Sequence, residues 1–146
     1  MTDNQQETRP ERWRRSPELL DDALSAWSKL GGTLNPSSIV ATIDEDGSPR
    51  VAPFGSLRAV NSRLLRFIAH QYHDTLANLK RDPRVMVSMI CPPDIAVSVR
   101  GRARIVEDPF SIDKNYALIE IDIEEVKNDM PVRIGIDSGI SISPSG

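Results

Sequence analysis

A long run of alternating residue types at 95–106, IAVSVRGRARIV, constrains the fold more than any other feature of this sequence. Every second residue is small or apolar, and the positions between them include three arginines. Because successive side chains of a β-strand point to opposite faces, this period of two predicts a strand with one buried face. Gly101 lies in the middle of the run, which predicts a bend or a close backbone approach, as at a barrel corner.

A second alternating run occupies 117–124, with the sequence ALIEIDIE. Its isoleucines share one face, and Glu120, Asp122 and Glu124 lie on the other. Antiparallel pairing of the two runs would set arginines opposite acids on the solvent-exposed face. We expect these charges to be structural, with little energy from each exposed pair.

Further strands are predicted at 37–43, 49–60, 64–69, 84–90 and 132–142. The first two are joined by Asp44-Glu45-Asp46-Gly47, a hairpin sequence in which the glycine can adopt the left-handed conformation. Pro49 and Pro53 place part of the second strand at a sheet edge or a bulge, because proline cannot donate to the ladder.

A first helix is predicted before these strands. Ser16-Pro17-Glu18 is a favourable start, with serine as N-cap and proline at the first helical position. Apolar residues then recur at helical spacing, and Gly31-Gly32 ends the helix. Trp27 is expected to pack against the sheet.

A second, short helix is predicted between the strands at 64–69 and 84–90. Asp74 is the expected N-cap, and Asp82-Pro83 the expected stop. The buried stripe is expected at Leu76, Leu79 and Ala77, and the water-facing positions at Asn78, Lys80, Arg81 and Asp82. A loop that leads into a helix start between two strands is a place where backbone amides can bind an anion.

Strands joined by short turns, with helices only at the margins, predict a mainly β fold, an antiparallel barrel of six to seven strands. A chain of 146 residues suits one domain, which we place at 16–146 after a flexible arm at 1–15. The arm holds Trp13 and the arginines Arg9, Arg12, Arg14 and Arg15. We expect it to be solvated or folded across a partner subunit, with contact to nucleic acid or an anionic surface as the alternative.

Composition excludes several classes of function. A net charge of −3 and an aromatic content of 5% argue against nucleic acid as the partner. No apolar run approaches the roughly 18 residues of a membrane span, and the first residues do not resemble a signal peptide. Cys91 is the only cysteine, which fits a reducing cytoplasm, and we expect a buried, inert thiol.

Catalytic signatures that can be read without a family are scarce. The sequence has no Walker loop, no HExxH and no CxxC. His70 and His73 are the only histidines and are the candidates for acid–base catalysis. With only Asp74 as a further ligand nearby, we predict no metal site.

Three segments resemble, in order, the pyridoxamine 5'-phosphate oxidase-like family of FMN-binding split barrels. They are IVATIDEDGSPRVAPFG at 39–55, LLRFIAHQYHDTLANLKRDPRV at 64–85 and VSVRGRARIVED at 97–108. The resemblance implies a homodimer with FMN in grooves at the interface, acting as an oxidoreductase on a small molecule. A non-catalytic flavin-binding or carrier protein is the alternative, and a structural dimer with a lost ligand site is a third. FAD, a deazaflavin or no cofactor are the alternatives to FMN.

The resemblance also assigns site residues. The flavin would run along Arg50, Val51, Ala52, Pro53, Phe54, Gly55 and Ser56, with Ala69 and His70 closing that face and His73, Asp74, Thr75 and Asn78 at the phosphate. The family commonly has basic residues where this chain has Asp74 and Thr75. An ionised Asp74 would compete with a phosphate for the helix amides, so Arg50, Arg58, Arg66 and Arg100 are substitute cations. The chain is also short after Glu107, so vitamin B6 chemistry itself is not expected.

Overall fold

The computed structural model describes residues 13–28, 36–130 and 133–140. Within these ranges, seven antiparallel strands form one sheet in the order β2-β1-β5-β6-β7-β4-β3. The strands are β1 (Ser38–Ile43), β2 (Pro49–Phe54), β3 (Arg58–Asn61), β4 (Leu64–His70), β5 (Arg84–Cys91), β6 (Ile95–Glu107) and β7 (Tyr116–Asn128). Helix α1 (Asp21–Ala26) precedes β1, and α2 (Asp74–Arg81) connects β4 to β5.

The sheet is rolled up, so that its two edges approach each other. Phe54 on the edge strand β2 stacks edge-on against Phe67 on β4, with ring centroids 4.9 Å apart. Just beyond β2, the Ser56 hydroxyl accepts from the Ile68 amide and donates to the Ile68 carbonyl, at 3.1 and 3.3 Å. The inward faces of the strands enclose one apolar core. The predicted mainly β split barrel is confirmed.

Trp27 lies at the gap between the two edges. Its side chain is fully buried, and Nε1 donates to Ser38 Oγ on β1 at 2.9 Å. Its carbonyl accepts from the Ala59 amide on β3, also at 2.9 Å. Trp27 therefore joins β1 to β3 across the split. Its burial confirms the prediction that this side chain packs against the sheet.

The long pair β6–β7 forms as the alternating pattern predicts. A Cβ on Gly101 would collide with the Asp122 carbonyl oxygen and lie 2.7 Å from Ile121 Cγ2. The register also shifts between Arg100 and Gly101, which confirms the predicted close approach. On the outer face, Arg104 Nε donates to Asp122 at 2.6 Å, and this bond lowers the pKa of Asp122.

Three predicted elements differ from the structure. The segment containing Ser16 pairs with Val126 in a β-bridge, so Ser16 cannot cap the first helix, which begins at Asp21. The helix ends at Ala26 with Trp27 as its C-cap, so the prediction that it runs to Gly31-Gly32 was wrong; those two glycines themselves lie outside the described residues. The strand predicted at 49–60 is two strands, because the chain turns at 55–57 and buries Leu57 completely. Of the strand predicted at 132–142, residues 133–140 form none, and the rest lie outside the described residues.

Two residues of the predicted N-terminal arm contact later parts of the chain. Trp13 Nε1 donates to the Met130 carbonyl at 2.6 Å, and Arg15 pairs with Glu125 at 3.2 Å. Residues 1–12 of the predicted arm lie outside the described part of the chain.

Cys91 is half-buried and packs against the core, whereas a buried thiol was predicted. No helix in the described ranges is long and apolar enough to cross a bilayer.

Candidate functional site

The site is assembled around the start of α2, which differs from the predicted one. The N-cap is His73, whose Nδ1 accepts from the Thr75 amide at 3.1 Å, and Asp74 is the first helical residue. Asp74 was therefore wrongly predicted as the cap. The helix ends at Asp82 before Pro83, as expected.

Asn78 is buried, although its position was predicted to face water, whereas Ala77, expected in the buried stripe, is exposed. The Asn78 amide donates to Thr42 Oγ1 at 3.0 Å and to Asp44 Oδ1 at 2.8 Å. Its Oδ1 accepts from Arg81 Nη1 at 3.3 Å. A buried amide is stable only when its polar atoms are paired, and here the partners come from β1 and the β1–β2 turn. Asn78 therefore fastens α2 to the base of the hairpin.

Arg50 is already engaged by acids. Its Nε lies 2.7 Å from Asp44 Oδ2, and 3.9 Å from a carboxylate oxygen of Asp74. The hydrogen bonds from Asn78 and Arg50 lower the pKa of Asp44, and the bond to Asp44 raises the pKa of Arg50. The cluster thus places two carboxylates around one guanidinium.

This cluster does not suit a phosphate dianion at the start of α2. The Thr75 amide is used by His73, and the Asp74 carboxylate is 71% exposed at the same helix start. The Thr75 side chain is buried. Two of the substitute cations are also paired, Arg66 with Glu120 at 2.9 Å and Arg100 with Glu125 at 2.8 Å. The residues present here therefore do not fit the phosphate clamp that the family resemblance implies.

The outer edge of β2 offers a different kind of contact. Asp44 and Ser48 form a hydrogen-bonded pair at the end of the hairpin, so the alternation of an antiparallel ladder turns the backbones of Pro49, Val51 and Pro53 away from β1. Prolines have no N–H, and the outward donor of this strand is therefore Val51. This arrangement confirms the edge position predicted from the prolines, and it limits unwanted strand pairing.

Each histidine uses Nδ1 as an acceptor for a backbone amide. His73 Nδ1 caps α2, and its ring centroid lies 5.1 Å from that of Phe54. His70 Nδ1 accepts from the Tyr72 amide at 3.2 Å, and its ring contacts Tyr116. In a neutral ring the remaining nitrogen, Nε2, then carries the proton, so either side chain presents a donor to a ligand.

Five of the predicted site residues come together: Arg50, Phe54, His73, Asp74 and Asn78. His70 points to the outer face of β4 beside Tyr116, and Ala69 is buried in the core. Sequence reasoning missed Thr42, Asp44 and Arg81. Asp44 was assigned to the turn, and no local pattern shows that a turn acid also binds α2. Among the described residues, no three histidine, cysteine or acidic side chains lie close enough to hold a metal ion.

Comparison with known proteins identifies the family of this chain and supports its fold. A sequence profile of the Pyridoxamine 5'-phosphate oxidase family matches residues 33–129, more than half of the chain. The chain therefore belongs to the pyridoxamine 5'-phosphate oxidase family. No curated protein sequence matches it.

Solved structures share the fold at low sequence identity. HupZ from Group A Streptococcus has a TM-score of 0.64 at 14% identity and covers 84% of this chain and 98% of its own. An F420 reductase has a TM-score of 0.62 at 20% identity, with 75% and 98% covered. The heme storage protein HutZ from Vibrio cholerae has a TM-score of 0.54 at 15% identity, with 64% and 85% covered.

We expect Asn78→Ala to destabilise the protein by about 1–3 kcal/mol, because Thr42 and Asp44 lose a buried donor. Urea denaturation followed by circular dichroism measures this change. Asn115→Ala is the matched control, since that side chain is exposed, and it should change stability by less than about 0.5 kcal/mol. Equal effects of the two substitutions would contradict the structural role of Asn78.

Proposed function

We propose that this protein is an FMN-dependent oxidoreductase acting on a small molecule, with the cofactor along β2 at the interface of a homodimer. One observation carries the proposal. No described strand pairs with the outer edge of β2, and Phe54 at its end packs against the ring of His73. An unpaired strand edge next to aromatic side chains matches a planar ring system with a polar rim.

The chain's own residues contribute binding and orientation. The Val51 amide faces out from the edge of β2, and His73 Nε2 supplies a second donor at the end of that strand. Flavin, when bound, supplies hydride or two-electron transfer. Because the start of α2 does not fit a phosphate, the ring and the ribityl chain contribute most of the proposed affinity for FMN. The similar structure named F420 reductase makes a deazaflavin the next cofactor to test.

The homodimer is proposed from an apolar outer face. The strand register aligns Val51, Ala41 and Met86 in one row across β2, β1 and β5. Val51 is 64% exposed and Met86 is 40% exposed. Ile39 and Pro53, which lie opposite each other, form the next row on the same face. A second copy covering this face would bury it and would also enclose the outer edge of β2, so each cofactor groove would be shared.

A concavity of about 470 Å³ lies on the same face, with Ala41, Ile43 and Met86 among its lining residues. Arg84, Arg100, Arg102 and Glu124 also line it, so the apolar floor has a charged rim of both signs, with three cations and one anion. A rim with both signs is suited to a self-complementary interface, where each surface meets a copy of itself.

A non-catalytic carrier is the second candidate. Both histidines use Nδ1 to bind backbone amides, so neither presents a free basic nitrogen in its neutral form. Turnover of a flavin-loaded sample with a nicotinamide donor separates the two functions, because a carrier would show none. Since HutZ is named a heme storage protein, haemin titration belongs in the same series.

The cofactor is tested by an absorbance scan of freshly purified protein. We expect bands of oxidised flavin that disappear on reduction. If the protein is colourless as isolated, added FMN should still raise the melting temperature of the protein. The fluorescence of the FMN itself should decrease on binding. A protein that shows neither response does not bind FMN, and the same titration with F420 then tests the deazaflavin.

Asp74→Lys should bind FMN more tightly, because it replaces an acid by a cation at the helix start. Flavin fluorescence quenching measures the dissociation constant. Asp21→Lys is the matched control, since Asp21 is also an acid in the first turn of a helix, α1. Unchanged or weaker binding by Asp74→Lys would mean that the phosphate lies elsewhere.

Val51→Asp should shift the protein from dimer towards monomer, because it places a charge in the proposed apolar interface. Light scattering at micromolar concentration gives the mass. Val60→Asp is the control, since Val60 is an exposed valine on the other edge strand, β3. A wild-type mass near that of one chain would contradict the dimer.

A further inference from the structure

We propose that a second cavity, on the outer face of β3, β4 and β7, binds a small molecule with an apolar body and one anionic group. The cavity has a volume of about 560 Å³, within the usual range for small-molecule sites. Its lining includes Ser56, Arg58, Arg66, Ile68, Phe110 and Ile112. It is separate from the Asp44–Arg50–Asp74 cluster at the start of α2, none of whose residues line it.

The strand register places a row of charges along one side of this cavity. Arg58 on β3 lies opposite Arg66 on β4, Arg66 lies opposite Glu120 on β7, and Glu120 lies opposite Arg104 on β6. Glu120 is 8% exposed and accepts from Arg66 Nε at 2.9 Å. Arg104 pairs with Glu120 at 3.3 Å and with Asp122 at 2.6 Å.

Arg58 is the cation that this row leaves without an anion. Arg66 and Arg104 are matched by Glu120 and Asp122, whereas Arg58 has no ion pair or side-chain hydrogen bond within residues 13–28, 36–130 and 133–140. Its direct cross-strand neighbour is another arginine. Like charges directly opposite each other destabilise a sheet, and an anion bound at Arg58 would relieve this repulsion.

The next row along the strands is apolar. Ile68 on β4 lies opposite Leu118 on β7, and Val106 occupies the bulge where Leu118 meets the end of β6. Val106 is 45% exposed and Ile112, from the β6–β7 connection, is 83% exposed. These side chains give the cavity an apolar floor beside a cationic edge, which matches an aromatic or aliphatic molecule that carries a carboxylate or sulfonate.

The acid in the lining does not neutralise Arg58. Glu107 accepts from the Ser111 amide at 3.2 Å and forms no ion pair within the described part of the chain. Arg58 and Glu107 lie on β3 and β6, three strand spacings apart along the sheet, or about 14 Å. The anionic group of the ligand therefore belongs at the β3 end of the cavity.

Ser56 connects this cavity to the proposed function. It follows β2, where the cofactor is proposed to lie, and it also lines the cavity. If the cavity is the substrate site, this inference rests on the proposed oxidoreductase function, and the substrate is an apolar molecule with an acidic group. As a binding site it needs no cofactor, so the two proposals can fail separately.

Fluorescence titration with 8-anilinonaphthalene-1-sulfonate tests the binding site on the protein as purified. We expect Arg58→Gln to weaken this anionic probe about tenfold, the equivalent of a lost charged contact. Arg63→Gln, an exposed arginine in the β3–β4 turn that pairs with Glu18, is the matched control and should change binding less than about twofold. The neutral dye Nile red should bind equally to all three proteins.

Stability supplies a second measurement. Without ligand, the urea midpoint of Arg58→Gln should stay at or above the wild-type value, because the repulsion from Arg66 is relieved. Equal weakening of the sulfonate by both variants would overturn the proposal in favour of general surface charge. Weaker Nile red binding to Arg58→Gln would also overturn the proposal, because it would show that Arg58 only shapes the surface. A lower mass of that variant in solution would overturn it too, because it would show that a second copy occupies this face.

Discussion

The barrel depends on side chains that close the gap between its edge strands, because β2 and β3 do not pair with each other in the sheet. Trp27 joins β1 to β3 through one side-chain and one backbone hydrogen bond, and Phe54 on β2 packs against Phe67 on β4. A buried aromatic pair adds about 0.5–1.5 kcal/mol beyond its buried area. This closure leaves the outer backbone edge of β2 unpaired within the described residues, which a continuous ladder would not, whereas the Ala59 amide of β3 is used by Trp27.

The free edge of β2 has consequences for both folding and binding. An open edge invites pairing with other chains, and the two prolines restrict that pairing by removing outward donors. What remains is the Val51 amide, next to apolar side chains and close to the start of α2. The groove proposed for a flavin therefore exists because the barrel is split, and the same split exposes the face proposed to meet a second copy.

The strands could be predicted because each carries its own alternating pattern, and β6 and β7 form as the pattern indicates. The failures have tertiary causes. Ser16 has the local features of a helix cap, but its backbone gains more partners in a bridge to Val126. Asn78 is polar and lies on a helix whose other polar residues face water, yet it is buried because Thr42 and Asp44 supply its hydrogen bonds. The N-cap is His73 and not the predicted Asp74, because imidazole Nδ1 can also accept a hydrogen bond from an amide of the first turn. Such partners are distant in sequence, so a local pattern cannot reveal them.

The distribution of charge changes where an anion is expected to bind. The family resemblance directs attention to the start of α2, but Arg50 there pairs with Asp44 and faces Asp74, so this cation is already matched by acids. On the opposite side of the split, the acids of β7 neutralise Arg66 and Arg104 and leave Arg58 unmatched beside an apolar cavity. Unpaired cations are costly when half-buried, and an anionic ligand would stabilise Arg58 where no neighbour in the sheet does so. The proposed flavin and its substrate would then be recognised by different means, the cofactor through a strand edge and the substrate through a charge.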